Sequence, residues 1–407
     1  MADQQFDIII SGGGLTGLTL GIGLAAAGFD VGVVDMADPA TVQGAEFDGR
    51  ASAISYASHQ LLTSLGIWQH TGDHASVIED IRISDGDSLL HLHFDHRDLG
   101  QGPLGHMLEN RHNRQALFKR LESLPNLTLF APNKITNHKS DDTAVTVTLD
   151  DGTTLGSALL VGAEGRFSPT RQRAGIKTTD WRYPQVGLVT TLQHEHPHCN
   201  IAHERFLPDG PFALLPLPNN RSSVVWTVRS EQRDIIMNLP ERAFVAELQK
   251  RVGGFLGELE TIGPRFDYPL GLMLAERYSD QRMVLVGDAA HGMHPIAGQG
   301  VNLGYRDVAV LIEVLIKARQ NSQGLGGADV LEKYEQWRRV DNVTLLTVTD
   351  LLNRLFSNDI TMVKTARDLG LAMVEKMPPV KKFFMSHARG TVGTLPKLLT
   401  GTTLADL

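Results

Sequence analysis

Phe6 to Ile10 is a short, mainly apolar run that stops at a glycine cluster, and Leu15 to Ala27 continues in helix-forming residues. Gly28 ends that helix, and Val31 to Val34 supplies a second apolar strand that closes on Asp35. The first 35 residues therefore predict a β-α-β unit. A polar loop with Asp48, Gly49 and Arg50 leads to a helix over Tyr56 to Leu65. Alternation then dominates residues 76–105, as in Ile81-Arg82-Ile83 and Leu90-His91-Leu92-His93-Phe94, and predicts strands. Residues 110–122 predict a helix. Val145 to Leu149, a turn at Asp150-Asp151-Gly152, and Ala158 to Val161 predict strands that run into a glycine-containing loop at 162–168. Short strand patterns and prolines fill 183–230, which predicts a mostly antiparallel sheet. Met283 to Val286 is a buried-strand pattern ending at Gly287-Asp288; a long helix follows from Gly300 to Arg319, and 328–407 is mainly helical. No internal repeat is present. The class is α/β.

With 407 residues the chain exceeds what one hydrophobic core supports, so two domains are expected. The net charge of -8 argues against a general nucleic-acid binder, because phosphate neutralisation needs a basic surface. Cys199 is the one cysteine, which rules out an internal disulfide and a multi-thiolate zinc site and suits a reducing cytoplasm. Met1 to Asp7 lacks the basic and apolar regions of a signal peptide, and no window reaches the roughly 18 uninterrupted apolar residues of a spanning helix. Membrane contact, if made, is expected to be peripheral, at an inner face. Over residues 360–407 seven basic residues stand against three acidic ones, with Phe383 and Phe384 among them, a composition that suits an anionic membrane or a partner and equally a solvated helix.

Gly12-Gly13-Gly14-Leu15-Thr16-Gly17 satisfies G-x-G-x-x-G between a predicted strand and helix, with Asp35 18 residues beyond its last glycine. Gly12, Gly14 and Gly17 allow the turn and the approach of a pyrophosphate to free N–H groups, and Asp35 is placed to accept from ribose hydroxyls. This motif leaves NAD and FAD open. A second pair of segments narrows the choice: Gly287-Asp288-Ala289-Ala290-His291, and Pro295-Ile296-Ala297-Gly298-Gln299-Gly300-Val301-Asn302-Leu303-Gly304 leading into a helix. They resemble the FAD-binding segments of flavin aromatic hydroxylases similar to para-hydroxybenzoate hydroxylase, in the form typical of the ubiquinone-biosynthesis branch. The resemblance covers most of residues 5–358.

It implies a Rossmann-like FAD-binding domain (1–75, 106–175 and 270–330), an inserted, mostly antiparallel substrate domain (76–105 and 176–269) and a helical C-terminal region (331–407). Asp288 would bind ribitol hydroxyls. Pro295, Gly298, Gln299, Gly300, Val301 and Asn302 would bring a helix N-terminus to the flavin pyrimidine edge, where a positive dipole favours the anionic reduced ring. Asp48-Gly49-Arg50 is similar to a family segment whose arginine reaches the flavin, and Arg111 falls where the family sets a polar residue against ribose or pyrophosphate; a solvated helix-start arginine explains Arg111 nearly as well. Gly162-Ala163-Glu164-Gly165 is similar to a family loop that has aspartate at the position of Glu164, a departure that bears on the nicotinamide contact. Phe212, Leu214 and Pro216 are expected either to line an aromatic pocket or simply to pack.

The resemblance further implies hydroxylation of a polyprenylated phenol through a flavin hydroperoxide, with molecular oxygen and with NAD(P)H or a protein electron donor as reductant. A ubiquinone-biosynthesis complex is an expected partner. No metal is needed; the histidines at 91, 93, 96, 194, 196, 198 and 203 read as strand and loop positions, and His291 and His294 as packing. No general base is assigned; Tyr183, Arg205 and Tyr268 are substrate-side polar groups that could equally anchor the sheet. Three other readings stay open: a prenyl-reducing flavoenzyme, a nicotinamide dehydrogenase using the first motif alone, and a non-catalytic flavin-binding scaffold.

Overall fold

The fold was obtained as a computed structural model that describes residues 2–44, 49–86, 88, 91–100, 102–292, 300–356, 370 and 373–407. The strand Gln4–Ser11 lies at the centre of the first sheet, paired in parallel with Val31–Val34 on one side and Thr154–Gly162 on the other. Ile8, Ile9 and Ile10 are all fully buried, as expected of a parallel strand covered on both faces, and each contributes roughly 1.5–3 kcal/mol of apolar burial. Leu127–Phe130 and Met283–Leu285 extend the parallel order at the two sides. Ile135–Ser140 and Val145–Leu149 add an antiparallel flap on Thr154–Gly162. Helices Leu15–Ala26 and Gly300–Gln320 pack together over this sheet; a Cβ on Gly23 would come within 2.3 Å of Ile312, so the missing side chain sets their separation.

The second sheet has eight strands, antiparallel except where Ile201–Leu207 meets Asp80–Asp85. Its two faces have different partners. Val186, Leu188, Phe212, Leu214 and Trp226 pack against the helix Glu241–Val252, which lies beyond the strand-patterned stretch 183–230. The opposite face meets a three-stranded sheet of Ala51–Ser55, Gly105–Glu109 and Ala75–Ile78, and Met385 of the helix Pro378–Ala388. Of this small sheet Ala75–Ile78 falls within the strands expected over 76–105, whereas the other two strands are only five residues long and flank predicted helices. The C-terminal region is helical over Ala328–Phe356 and Pro378–Ala388. No helix among the described residues is long and apolar enough to cross a membrane.

Candidate active site

The glycine turn is held by its own backbone. Gly12 adopts φ of 105°, its N–H donates to Val34 O at 2.8 Å, and Ala163 N–H donates to Ser11 O at 2.7 Å. A Cβ on Gly12 would lie 2.5 Å from Ala163 O, and one on Gly17 only 1.9 Å from Gly12 O. These two glycines therefore let the turn close. Gly14 differs: a Cβ there meets nothing within 4 Å, so its missing side chain serves whatever enters from outside. No side chain caps the helix Leu15–Ala26, which leaves its first N–H groups and positive dipole end for a ligand. Asp35 accepts from Gly13 N–H and from Ala37 N–H, the latter at 2.7 Å, which orients the carboxylate and leaves lone pairs over.

One cleft of about 690 Å³ joins this turn to the distant second motif, a size within the roughly 300–1,000 Å³ of small-molecule sites. Of the residues singled out in the sequence, Gly12, Gly14, Asp35, Asp288, Gly300 and Val301 line it, and Gly17 underlies its turn. Asp288 opens onto the cleft while protein surrounds it on the other sides. Burial pushes its carboxyl up, opposed by His291 and Arg166. A Cβ on Gly300 would also point into open space, and the first turn of its helix carries no acidic residue. Asn302 sits just behind the cleft: its Oδ1 accepts from Ser55 N–H at 2.9 Å and its Nδ2 donates to Ala53 O at 2.8 Å, which ties the helix start to the strand Ala51–Ser55. Pro295, Gly298, Gln299 and His294 lie outside the described residues, as does Asp48.

Arg50 and Arg111 do not line this cleft. Arg50 is exposed ahead of the strand Ala51–Ser55, and Arg111 Nε donates at 2.8 Å to the buried Glu109, which Arg221 also contacts at 2.7 Å. Their neighbours Ser52 and Asn110 line it instead, joined by a 2.7 Å hydrogen bond. Lys134 and Arg173 add positive charge to the cleft lining; no motif marked them in the sequence.

A buried network fixes the Asp288 loop from behind. Asp307 accepts from Gly287 N–H at 2.8 Å, from His291 Nε2 at 2.6 Å and from Arg338 Nε at 2.6 Å. Arg338, also fully buried, continues to Asp341 and Asn342. Arg171 Nη1 donates to Ala289 O at 2.8 Å and links the same loop to residues 162–171. Within that segment Glu164 accepts from Ser11 Oγ at 2.8 Å, Ser168 Oγ at 2.5 Å, Thr170 N–H at 3.2 Å and Thr170 Oγ1. The extra methylene relative to aspartate is thus used to clamp the turn. E164A is expected to lower the unfolding free energy by about 2–3 kcal/mol, read as a fall in the urea midpoint.

Phe212 and Leu214 pack on the helix Glu241–Val252, so alternation turns Ala213 and Leu215 toward the opposite face, where Leu215 lines a small cavity. Arg205 likewise reaches back to Gly86 O and Arg251 O. Tyr268 lies opposite Gly187, where a Cβ would meet its ring at 2.9 Å, and burial pushes its hydroxyl up to about 12. His194 and His198 are accounted for by hydrogen bonds to His196 O, Ser222 Oγ and Leu217 O.

The arrangement is that of a dinucleotide cleft with acceptors at both ends and two helix N-termini between them, which suits the diphosphate, ribose and ring of FAD. The FAD binding domain family matches residues 5–346. The chain is 48% identical to the ubiquinone hydroxylase UbiL of Rhodospirillum rubrum over 396 residues, 97% of this chain and 92% of that one. It is 36% identical to the 3-demethoxyubiquinol 3-hydroxylase of Escherichia coli, covering 96% and 100% of the two chains. The crystal structure of the p-nitrophenol 4-monooxygenase PnpA of Pseudomonas putida has the same fold, with a TM-score of 0.80 at 19% identity over 97% of this chain and all of that one. The chain therefore belongs to the FAD-binding-domain family of flavin-dependent monooxygenases, in its branch of ubiquinone-biosynthesis hydroxylases. It is an FAD-dependent oxidoreductase.

Proposed function

We propose that this enzyme hydroxylates the aromatic ring of a polyprenylated phenol in ubiquinone biosynthesis, with FAD held in the cleft described above. The observation that carries this reading is that two glycine loops nearly 300 residues apart in sequence meet in one cleft beside an apolar sheet face. FAD, when bound, takes electrons from NAD(P)H or a protein donor and activates molecular oxygen. The protein holds and orients. Gly12, Gly14 and Gly17 with the uncapped helix receive the diphosphate, Asp35 the adenosine ribose and Asp288 the ribitol chain. Gly300 and Val301 set a helix N-terminus at the ring, and Asn302 anchors that helix to the strand beside it. Arg50 and Arg111 stand beside Ser52 and Asn110 of the cleft lining and would reach the cofactor from its rim. Segments 1–75, 106–175 and 270–330 bind the cofactor, 76–105 and 176–269 cover the substrate, and 331–407 forms a helical C-terminal region.

A long prenyl tail calls for contact with a membrane. Met373, Met377 and Phe383 are exposed apolar side chains around the helix Pro378–Ala388, and Lys382 stands beside Phe383, which supports peripheral attachment there. A biosynthetic complex is the natural source of so insoluble a substrate.

The test is single turnover. FAD-loaded protein, reduced without oxygen in the presence of a prenylated phenol and then mixed with ¹⁸O₂, is expected to give a phenol heavier by one labelled oxygen. Reoxidation with no labelled product from any prenylated phenol would sink the hydroxylase reading, and saturation of a prenyl double bond would replace it.

A further inference from the structure

Glu204 occupies an inward position on the strand Ile201–Leu207, between the buried side chains of Ala202 and Phe206. It is only 7% exposed, and its carboxylate has no hydrogen bond among the described residues. This is unlike the other buried acids. Glu109 is paired with Arg111 and Arg221, and Asp307 with His291 and Arg338, as the cost of burying a bare carboxylate requires. Glu204 instead faces a mainly apolar cavity of about 60 Å³, walled by Ile78, Ile81, Leu104 and Leu215.

That cavity stands back to back with the cofactor cleft. On the strand Ala51–Ser55, Ser52 lines the cleft whereas Ala53, Ile54 and Ser55 line the cavity. On the helix Gly300–Gln320, Gly300 and Val301 line the cleft and the next residue, Asn302, lines the cavity. Ser55 and Asn302 are bonded to each other, and Glu204 is the only carboxylate in the cavity lining among the described residues. The volume is below the roughly 150 Å³ that takes up benzene, so the cavity admits the hydroxyl-bearing edge of a ring but not a whole one.

We propose that Glu204 is the catalytic base of the hydroxylation, holding the phenolic hydroxyl of the substrate and accepting its proton. The inference rests on the hydroxylase reading above. The phenol O–H bond breaks with its electron pair left on oxygen, which enriches the ring carbons ortho and para to it, and the proton passes to a Glu204 oxygen. One ring C–H becomes C–OH. One atom of O₂ enters the ring and the other leaves as water, with two electrons from the NAD(P)H or protein donor and two protons from that donor and solvent, while the displaced ring proton passes to solvent and is matched by one taken up in forming the water. Loss of the ring proton restores aromaticity, and Glu204 returns its proton to the phenol oxygen.

Burial alone pushes the Glu204 carboxyl up to about 7, which suits a base that must be ionised yet still take a proton near neutrality. The packed elements carry other ionisable groups: Asp80, Arg82 and Asp85 on the strand Asp80–Asp85, His106 and Glu109 on Gly105–Glu109, Arg306 and Asp307 on the long helix, and Lys381, Lys382 and His387 on Pro378–Ala388. Strands Ala51–Ser55 and Gly210–Leu217 carry none. His106 and His203 are pushed down to about 4 by burial, with His59 adding to the first and Arg82 and Arg205 to the second, so these two do not titrate at the Glu204 value, and burial with Arg306 lowers His387 as well.

E204Q keeps the shape and removes the charge, with E204A as the second variant. In FAD-loaded wild type the hydroxylation rate is expected to rise with pH through about 7; in E204Q that limb disappears and kcat at pH 8 falls about 100-fold. A readout independent of turnover uses a prenylated 4-nitrophenol bound to the FAD-loaded enzyme. Its ionisation, followed by absorbance, is expected about one pH unit or more higher in wild type than in E204Q, because a neighbouring carboxylate opposes the phenolate. Equal ionisation in the two proteins, or no saturable binding to wild type, overturns the proposal. Failure of wild type to insert oxygen while the ionisation shift persists would overturn the hydroxylase reading and leave Glu204 as a phenol-binding group rather than a base.

Discussion

D307A is expected to lower stability by about 3–5 kcal/mol, because it leaves the Arg338 guanidinium buried without its main counter-charge. Arg338 and Asp307 are both fully buried, and water cannot replace the lost partner. The same change frees Gly287 N–H and His291, whose hydrogen bonds hold the loop that carries Asp288. Loss of FAD should therefore accompany loss of stability, although Asp307 itself does not line the cofactor cleft. The milder D307N keeps the shape and weakens only the charge, so its effect should lie between alanine and wild type. Urea unfolding by circular dichroism, with flavin content measured on the same samples, checks both; a D307A midpoint within experimental error of wild type would show that the network does not hold this loop. The pH dependence has a definite sign. Burial pushes the Asp307 carboxyl up, but His291 and Arg338 outweigh it and hold it at about 2. A folded-state value below the unfolded one of about 3.9 gives stability that is complete above the unfolded value and is lost as pH falls through about 2.

The first β-α-β unit was legible because its signals are local: three isoleucines, a glycine turn and a helix of small apolar residues lie within 35 residues. The second motif was legible as a word. That it closes on the first follows from parallel pairing of Thr154–Gly162 with both Gln4–Ser11 and Met283–Leu285, a long-range fact with no local signal. Arg50 and Arg111 illustrate the limit of motif reading. In the folded chain the residues of these segments that line the cleft are Ser52 and Asn110, one or two positions away.

Parity in the second sheet was the other hidden quantity. From the run Phe212-Ala213-Leu214-Leu215 the large residues look like the pocket, but the helix Glu241–Val252 takes Phe212 and Leu214 and leaves Ala213 and Leu215 on the opposite face. The same alternation directs His203 and Arg205 away and Glu204 inward. A signal was present in the sequence: in Ala202-His203-Glu204-Arg205-Phe206 the glutamate shares its period with two apolar residues. It could be read only once the buried face was known.

G14A separates the cofactor from the fold. Gly14 has φ of −72° and ψ of −172°, which alanine adopts without strain, and a Cβ there meets no protein atom within 4 Å. The free protein should therefore fold with an unchanged urea midpoint. The added methyl points into the cleft that receives the diphosphate, and overpacking of about 1–3 kcal/mol predicts FAD binding weaker by roughly 5- to 150-fold. G17A should behave in the opposite way. Its Cβ would stand 1.9 Å from Gly12 O, a backbone atom of the turn itself, so the damage falls on folding before any ligand arrives. Titration of the apoproteins with FAD by flavin fluorescence, beside urea midpoints, distinguishes the two. If G14A bound FAD as tightly as wild type, the diphosphate would not pass over this turn, and the role given to the glycine loop would be wrong. If it bound weakly while folding normally, the open face of Gly14 would be identified as a contact surface of the cofactor, because the variant leaves the packing of the protein itself unchanged.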